Sequence, residues 1–395
     1  MNLSNRAKML KPSATLAVSA KAKEMKKSGL PVISFGTGEP DFDSPLAAQV
    51  AGKEAIDAGH THYTAVGGID ELKEAVCQTY KNQFNLDYSP AEVVVGSGAK
   101  PLVYTALAAL IDDGDEVIVF TPAFVSYVEQ IKMLGGKALL VDTSHTNLEP
   151  DPEAVRKVIT AKTKAMMINS PNNPTGAVMS AEVLRELAKI AKEHDLVIIN
   201  DEIYCDLVYE GEYSQIVTLC PEVKDRVVNI NGVSKSYAMT GWRIGYATGP
   251  AELIKAMTSL QGHITSNAAS ISQYAAVGAI RGGQAELKAM KERFSARRDL
   301  ACELLRAIPN ISFITPKGAF YVLINLAGLL GKKHDGQAIE DDVTFCSDLL
   351  AKKYVAFTPG SAFLAPGTLR LSYASSEEDI KEGLRRLSEY ASEMA

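Results

Sequence analysis

The sequence has little cysteine and no long apolar run. Its five cysteines, in 395 residues, are Cys77, Cys205, Cys220, Cys302 and Cys346, and no two stand in a C-x-x-C arrangement. This pattern argues against a disulfide framework and a zinc site, and it is typical of thiols in a reducing compartment. No stretch approaches the roughly 20 apolar residues of a membrane-spanning helix, and the first residues contain no signal-peptide core. We therefore expect a cytoplasmic protein without a metal.

The sequence also lacks a surplus of positive charge. Lysine and arginine number 41 against 47 acidic residues, which gives a net charge of −6. Nothing in this balance favours a nucleic acid or an anionic membrane as partner. The 46% hydrophobic and 22% charged content is ordinary for a globular protein, and the length indicates more than one domain.

Short apolar runs alternate with helical patterns from residue 90 onward. The runs cover residues 92–96, 115–120, 137–141, 164–169, 195–200, 226–231 and 243–248. They are apolar without alternation, as in strands buried on both faces of a largely parallel sheet. Helices are predicted between them, one with Pro101 in its first turn and one that starts at Ser180. This alternation predicts an α/β fold.

The C-terminal third has a different pattern. Strands are predicted at residues 317–326 and 369–374, followed by a long terminal helix, which is typical of an α+β region. The first 40 or so residues contain no sheet run before residue 31. We therefore predict a small domain formed by residues 1–45 and 281–395, with a large domain, residues 46–280, inserted between them.

Four predicted strands end in groups that are useful for chemistry. They lead into a glycine turn at 96–99, an Asn/Pro loop that contains Asn173, the carboxylate of Asp201, and Lys235. In an open parallel sheet, ligands bind beyond the carboxyl ends of the strands. These groups are therefore expected to converge on one crevice.

Each group also has a plain structural interpretation. The glycine turn lacks the dinucleotide and Walker A patterns, so a single-phosphate cradle and an ordinary tight turn both remain. Asn173 is in a turn-rich loop, and Asp201 suits either a helix cap or a cationic partner. Lys235 suits either a surface ammonium or a nucleophile whose pKa is lowered by burial and by cations such as Arg243.

Taken together, these groups meet the needs of one cofactor. A phosphate cradle, an acid for a ring nitrogen, an amide donor and a lysine that forms a Schiff base are what pyridoxal phosphate requires.

The motifs resemble those of one enzyme family over nearly the whole length. They are "GTGEPDFDSP" (36–45), "HYTAVGGIDELKEAV" (62–76), "SPNNPTG" (170–176), "DEIY" (201–204), "SKSYAMTGWRIGY" (234–246), "GAFYVL" (318–323) and "LRLSYA" (369–374). The chain resembles fold-type I, class I pyridoxal-phosphate aminotransferases, and within them the bacterial aspartate (aspartate/prephenate) aminotransferase subgroup. The resemblance implies a seven-stranded, mostly parallel sheet flanked by helices.

The resemblance implies roles for particular residues. Lys235 would hold the cofactor as an internal aldimine and move the substrate proton, and Asp201 would pair with the ring nitrogen. Asn173 and Tyr204 would donate hydrogen bonds to the ring hydroxyl oxygen. The residues expected around the phosphate are Gly98, Ala99, Lys100, Ser234, Arg243 and, from a neighbouring subunit, Tyr63, which implies a homodimer.

At two positions the residue type differs from the one that many relatives carry. Phe124 occupies the ring-stacking position, where Trp or Tyr is common, so stacking survives but a polar group is lost. Gly232 stands where many relatives have a phosphate-binding serine, three residues before Lys235.

The resemblance also implies a substrate. Arg370 and the Gly38 backbone would hold the α-carboxylate, with Phe124 and Asn173 nearby. Lys100 and Thr15 would meet a distal carboxylate, with Lys11 joining on closure. These roles favour ping-pong transamination between L-aspartate and 2-oxoglutarate. Dual aspartate/prephenate or aromatic/alanine specificity, a β-lyase or decarboxylase, and an effector-binding regulator remain as alternatives.

Overall fold

The computed structural model describes residues 2–4, 7–8 and 14–395. Fourteen helices of the described part are labelled here in chain order. They are α1 (Ala14–Lys27), α2 (Leu46–Asp57), α3 (Asp70–Phe84), α4 (Ala99–Leu110), α5 (Ser126–Met133), α6 (Pro152–Val158), α7 (Ala181–Glu193), α8 (Ile216–Leu219), α9 (Val233–Ser236), α10 (Ala251–Ile264), α11 (Ser270–Gly282), α12 (Gln284–Arg306), α13 (Asp342–Lys353) and α14 (Glu377–Glu393).

A seven-stranded sheet lies at the centre, in the order β2-β8-β7-β6-β5-β3-β4. The strands of the described residues are β1 (Ile33–Ser34), β2 (Val93–Gly96), β3 (Glu116–Thr121), β4 (Lys137–Asp142), β5 (Thr163–Asn169), β6 (Val197–Asp201), β7 (Val227–Gly232), β8 (Gly245–Thr248), β9 (Ser312–Phe313), β10 (Tyr321–Asn325), β11 (Lys333–His334), β12 (Gln337–Ala338), β13 (Val355–Ala356), β14 (Thr358–Pro359) and β15 (Thr368–Ser372). The predicted α/β fold and all seven predicted strands of this sheet are confirmed.

The sheet is parallel except at one strand. β8 runs antiparallel to both β2 and β7, so β2, β5, β6 and β7 all end at the same edge. The expectation that every strand is buried on both faces is wrong for β4. This strand lies at the edge, next to β3 alone, and five of its six residues are exposed or half-buried. An edge strand has one neighbour, so its side chains stay closer to water.

Local signals explain where helices start. The Ser180 side chain accepts a hydrogen bond from the Val183 backbone N–H at 3.3 Å and caps α7, as its position in the sequence predicts. Pro101 lies in the first turn of α4, where its missing N–H costs no hydrogen bond. Both helices can therefore begin close to the ends of strands.

The N-terminal segment pairs with the C-terminal third. β1 runs parallel to β13, with Ile33 beside Val355, and a second sheet follows the order β14-β15-β10-β9. The segment 36–41 therefore passes from this pairing toward the large sheet. The division into a small domain of residues 1–45 and 281–395 and a large one of 46–280 stays a prediction.

One ion pair fixes the segment that follows β1. Asp41 accepts two hydrogen bonds from the guanidinium of Arg297 on α12, at 2.6 and 2.9 Å. Arg297 is buried and also lies over the Phe42 ring at 5.0 Å. The pair holds the loop that begins at Gly36, and that loop forms one wall of the cavity described below.

The cysteines form no disulfide. All five are free thiols, and four of them are buried. Within the described ranges, no helix is long and apolar enough to cross a bilayer.

Replacing Asp41 by Asn should lower the free energy of unfolding by about 2 kcal/mol, because it leaves the buried Arg297 without a counter-charge. Urea unfolding of the cofactor-free protein measures this loss. Asp195→Asn is the matched control, since the Asp195 carboxylate is almost fully exposed in its pair with Arg226 and should contribute less than about 1 kcal/mol. Equal effects in the two variants would contradict a structural role for the Asp41 pair.

Candidate active site

A cavity of about 390 Å³ opens at the carboxyl ends of β5, β6 and β7. Its wall contains four cationic side chains and two carboxylates, namely Lys100, Lys235, Arg243, Arg370, Glu39 and Asp201. The excess of positive charge favours anionic ligands. The four predicted groups at the strand ends converge here, as their order along the sheet requires.

The glycine turn leads directly into α4. Gly98 has φ of +104°, and a Cβ there would collide with the Arg243 guanidinium. A Cβ at Gly245 would collide with the backbone N of Ala99. Only glycine therefore permits this close approach, which leaves the first N–H groups of α4 beside a cationic side chain. Such a helix start favours an anion.

Arg243 follows the 3-10 turn Thr240–Trp242 and has φ of +58°. Its Nη1 donates to the Thr240 carbonyl at 2.8 Å, and its Nη2 donates to the Ser97 carbonyl at 3.5 Å. Both contacts are to backbone, and Arg243 has no carboxylate partner among the described residues. Its positive charge is therefore free to attract a bound anion.

Asp201 is the last residue of β6 and only 6% exposed. Its Oδ2 accepts a 2.6 Å hydrogen bond from the Tyr127 hydroxyl, and its Oδ1 accepts one from the Ile203 N–H at 3.3 Å. Burial raises its pKa to about 6, against the lowering effect of these two hydrogen bonds and of Lys235. It has no ion-pair partner in the described structure, so it suits a ligand cation.

The next carboxylate along the chain points elsewhere. Glu202 is fully buried and accepts hydrogen bonds from Tyr80, from Tyr213 at 2.8 Å and from Asn200 at 3.0 Å. Burial raises its pKa to about 7. Successive strand residues face opposite sides of a sheet, so Asp201 reaches the cavity and Glu202 does not.

Lys235 lies in α9, directly after β7. Its ammonium donates to the Gly38 carbonyl at 2.6 Å and lies 5.8 Å from the Phe320 ring centroid. Burial lowers its pKa to about 8, with smaller lowering effects from Arg370, Arg243 and Lys100 and an opposing effect from Glu39. Roughly a tenth of the amine is therefore uncharged at pH 7, and this is the form that a nucleophile or proton carrier requires.

Arg370 extends from β15 into the cavity. Its Nη1 donates to Asn173 Oδ1 at 2.9 Å and its Nη2 donates to the Gly36 carbonyl at 2.8 Å. It is 4% exposed, its buried Nε has no hydrogen-bond partner, and no described carboxylate pairs with it. A buried guanidinium in this state is suited to bind a carboxylate.

Asn169 makes hydrogen bonds to the chain segments that follow β5 and end β6. Asn169, at the end of β5, donates from Nδ2 to the Asp201 carbonyl at 3.0 Å and accepts from the Asn173 N–H at 2.9 Å. Asn173 is thereby held beside Arg370. Its Nδ2 has no partner among the described residues and can donate to a ligand.

Most other predicted residues also line the cavity. Gly38, Ala99, Phe124, Tyr204 and Ser234 all contribute to its wall. The Lys100 ammonium lies 5.0 Å from the Phe124 ring centroid, and burial, with Arg243, lowers its pKa.

At Gly232 a Cβ would lie 2.8 Å from the Ile244 carbonyl. This position therefore has no room for the serine that many relatives carry.

Two predicted residues, Tyr63 and Gly98, do not line the cavity, and the structure does not describe the side chains of two more, Thr15 and Lys11. Tyr63 is 90% exposed and lies outside the wall formed by its own chain. Thr15 belongs to α1, but its side chain is outside the described part of the structure, and Lys11 lies outside the described residues altogether. Gly98 lies just behind the wall, where it makes room for Arg243.

Tyr127, Tyr321 and Glu39 are among the wall residues that sequence reasoning missed. Each stands close to a residue or motif that was noted: Tyr127 follows Phe124 by one helical turn, Tyr321 follows "GAF", and Glu39 follows Gly38. The Glu39 carboxylate accepts a hydrogen bond from the Thr240 hydroxyl. It thereby ties the N-terminal loop to the turn that carries Arg243.

The sequence and the fold match known proteins along the whole chain. The family pattern "Aminotransferase class I and II" matches residues 31–387. The chain is 45% identical over 390 residues to the aspartate aminotransferase of Bacillus sp. (strain YM-2), covering 98% of both proteins. It is 43% identical over 389 residues to the aspartate/prephenate aminotransferase of Cereibacter sphaeroides, covering 98% of this chain and 97% of the relative.

A solved structure shares the architecture. The crystal structure of the aspartate aminotransferase from Rhizobium meliloti superposes with a TM-score of 0.96 at 40% sequence identity, covering 100% of both chains. These matches confirm the resemblance that the motifs indicated.

The Lys235 amine in the cofactor-free protein should become reactive with a midpoint near pH 8, because burial disfavours its charged form. Competitive labelling with acetic anhydride, quantified by mass spectrometry, measures this midpoint. Glu39→Gln removes the negative charge that stabilises the ammonium, so the midpoint should move below pH 8. Glu182→Gln, on the exposed face of α7, should leave it unchanged. A higher midpoint in Glu39→Gln would show that the sign is wrong.

Proposed function

Because the chain belongs to the class I and II aminotransferase family, we propose that it is a pyridoxal-phosphate enzyme that moves the amino group of L-aspartate to 2-oxoglutarate. Transamination as the reaction class follows from the family. One observation carries the rest of the proposal: the buried Asp201 and Arg370 and the half-buried Lys235 line one cavity, and none has an ion-pair partner among the described residues. A buried charge without a counter-ion lowers the stability of the protein unless a bound ligand supplies the opposite charge.

The residues present fit pyridoxal phosphate. The glycine turn, with Ala99, the main chain of Lys100, Ser234 and Arg243, would hold the phosphate. Asp201 would hold the protonated ring nitrogen, which supplies the cation that its buried carboxylate lacks.

The remaining polar and aromatic groups fit the ring of the cofactor. Asn173 and Tyr204 would donate to the ring hydroxyl oxygen, Phe124 would stack on the ring, and Lys235 would hold the cofactor covalently. When bound, pyridoxal phosphate supplies a ring that withdraws electrons from the substrate Cα.

The side chains of the protein then have separable tasks. Arg370 binds the α-carboxylate and, with Asn173, orients the substrate so that the Cα–H bond faces Lys235. The uncharged Lys235 Nζ takes the proton from Cα and returns it later as an acid. Tyr127 holds the Asp201 carboxylate in place through its 2.6 Å hydrogen bond. The same residues act on aspartate in one half-reaction and on 2-oxoglutarate in the other, which is a ping-pong sequence.

Lys100 is proposed to recognise the second carboxylate of the substrate. Its ammonium lies at the Phe124 side of the cavity and has no carboxylate partner among the described residues. Thr15 is proposed to assist. A carboxylate in the side chain of the substrate would pair with this ammonium, which supports aspartate over alanine as the amino donor.

A homodimer is proposed as the functional assembly. Tyr63 is exposed on its own chain, which leaves it free to reach the phosphate of a second copy. Leu46, Val50 and Ile56 are large exposed hydrophobic residues of α2, and a dimer interface would bury them. Location in the cytoplasm stays a prediction from the sequence.

The central test is a half-reaction panel. Protein loaded with pyridoxal phosphate should lose the absorbance of the bound aldehyde form faster with aspartate or glutamate than with alanine, phenylalanine, tyrosine or lysine. Release of pyruvate and ammonia, or of CO₂, without an added 2-oxo acid would instead indicate a lyase or a decarboxylase. Prephenate added to the aminated form tests dual specificity, because relatives with both names are about equally similar.

Lys235→Ala should retain the cofactor without a covalent bond and lose turnover by roughly 10³-fold or more, because it removes the group that moves the proton. Absorbance spectra and steady-state assays measure the two effects separately. Lys189→Ala, on the exposed face of α7, is the control and should keep full activity. Turnover at the wild-type rate in Lys235→Ala would overturn the assignment.

Lys100→Met should lower kcat/KM for aspartate by roughly 10- to 100-fold and change that for alanine by less than about 2-fold, because a charge-assisted hydrogen bond to the second carboxylate is lost. Steady-state kinetics with both donors measure the split, with Lys189→Met as control. An equal loss for aspartate and alanine would place Lys100 on the cofactor phosphate instead.

A further inference from the structure

Tyr321 contacts several parts of the cavity, although no role was predicted for it from the sequence. It lies in β10, is 1% exposed and lines the cavity. Its hydroxyl shares a 2.8 Å hydrogen bond with the hydroxyl of Tyr204. Tyr204 lies in the turn that follows β6 of the large sheet, so this bond joins that turn to β10 of the second sheet inside the site.

The ring of Tyr321 supports the guanidinium of Arg370. The Arg370 Cζ lies 4.5 Å from the centroid of the ring, which is cation–π geometry. The register of the sheet places them together: Tyr321 is opposite Ser372 and Leu323 is opposite Arg370 in the antiparallel pair of β10 and β15. Tyr321 and Arg370 are therefore diagonal neighbours on one face.

The hydroxyl of Tyr321 also abuts the N-terminal loop. A Cβ at Gly38 would collide with the Tyr321 hydroxyl oxygen, so the main chain at Gly38 lies directly against it. The Gly38 carbonyl in turn accepts the hydrogen bond from Lys235 at 2.6 Å. Tyr321 thus contacts the segment that holds the lysine.

We propose that Tyr321 is a positioning residue with two separable actions: its hydroxyl fixes the orientation of Tyr204 toward the cofactor, and its ring holds Arg370 at the angle that binds the substrate carboxylate. This inference rests on the proposed function. The hydroxyl of Tyr321 affects the binding of the cofactor, and its ring affects the binding of the substrate.

If Tyr321 contributed to packing alone, its variants would give a different result. Tyr321 also packs on Phe320, with ring centroids 4.7 Å apart, and loss of packing alone would weaken stability and both ligands together. The proposed role requires a split between the two ligands. Two variants of the same residue can test it, because phenylalanine keeps the ring and leucine removes both ring and hydroxyl.

The first measurement compares cofactor and dicarboxylate binding. Tyr321→Phe should weaken equilibrium binding of pyridoxal phosphate about 3- to 10-fold, as expected for one hydrogen bond. It should leave the Kd of succinate, an unreactive dicarboxylate, within about 2-fold of the wild-type value in the loaded protein. Tyr321→Leu should weaken succinate binding about 5- to 20-fold as well, because the cation–π support of Arg370 is lost.

The second measurement asks whether the hydroxyl acts through Tyr204. In a Tyr204→Phe protein, adding Tyr321→Phe should cause no further loss of cofactor affinity, because the shared hydrogen bond is already gone. Tyr373→Phe is the matched control: it removes another buried tyrosine hydroxyl, 3.3 Å from the Ala319 carbonyl, outside the cavity wall. It should change neither affinity.

The outcomes separate this inference from the proposed function. Independent, multiplying effects of Tyr204→Phe and Tyr321→Phe would overturn the action of the hydroxyl. Wild-type succinate affinity in a folded Tyr321→Leu protein, with its melting temperature as the check, would overturn the action of the ring. A wild-type protein that binds neither pyridoxal phosphate nor succinate would instead refute the proposed function.

Discussion

The site depends on the cost of holding charged groups away from water without their counter-ions. Asp201, Lys235 and Arg370 line one cavity, and burial is the largest cause of each shifted pKa. Elsewhere a buried charged side chain has a counter-ion, as Arg297 has in Asp41, or several hydrogen bonds, as Glu202 has. Leaving three such groups without counter-ions in one place lowers stability. Ligands that supply the opposite charges would offset this loss, so the constraint that destabilises the unliganded cavity favours the binding of charged ligands.

The rest of the structure supplies the rigidity that such a site needs. The backbone of segment 36–41 is tied to α12 through Asp41, to the lysine through the Gly38 carbonyl and to the arginine turn through Glu39. Glycines at 98, 232 and 245 let three chain segments approach within contact distance. The charged groups are thus held mostly by backbone contacts, which change little in length or direction. Preorganised groups of this kind bind and catalyse without paying for rearrangement.

Much of this site follows from the pattern of strands. Asn173, Asp201 and Lys235 each follow a buried apolar run, and parallel strands bring such positions to one edge. Tyr127 and Tyr321 could not be found that way, because one comes from a helix and the other from a second sheet. Asp201 was chosen over Glu202 because it directly follows the apolar run, whereas the face of β6 that meets the cavity is visible only in the folded chain. The exposure of β4 was missed because an apolar run does not reveal whether its strand has one neighbour or two. The role proposed for Tyr63 involves a second copy of the chain, which a single chain does not test.

The pairing of β1 with β13 has a consequence for synthesis on the ribosome. Ile33 leaves the exit tunnel early, whereas its partner Val355 and the guanidinium of Arg370 appear close to the end of translation. The strands that carry Asp201 and Lys235 emerge well before either. Contacts between such distant parts of a chain form late and slowly. The nascent protein should therefore have Asp201 and Lys235 in place while Arg370 is still absent and the loop that contains Gly38 has no β13 beside which to dock. The Lys235 amine would then reach its final pKa only when the last strands have docked.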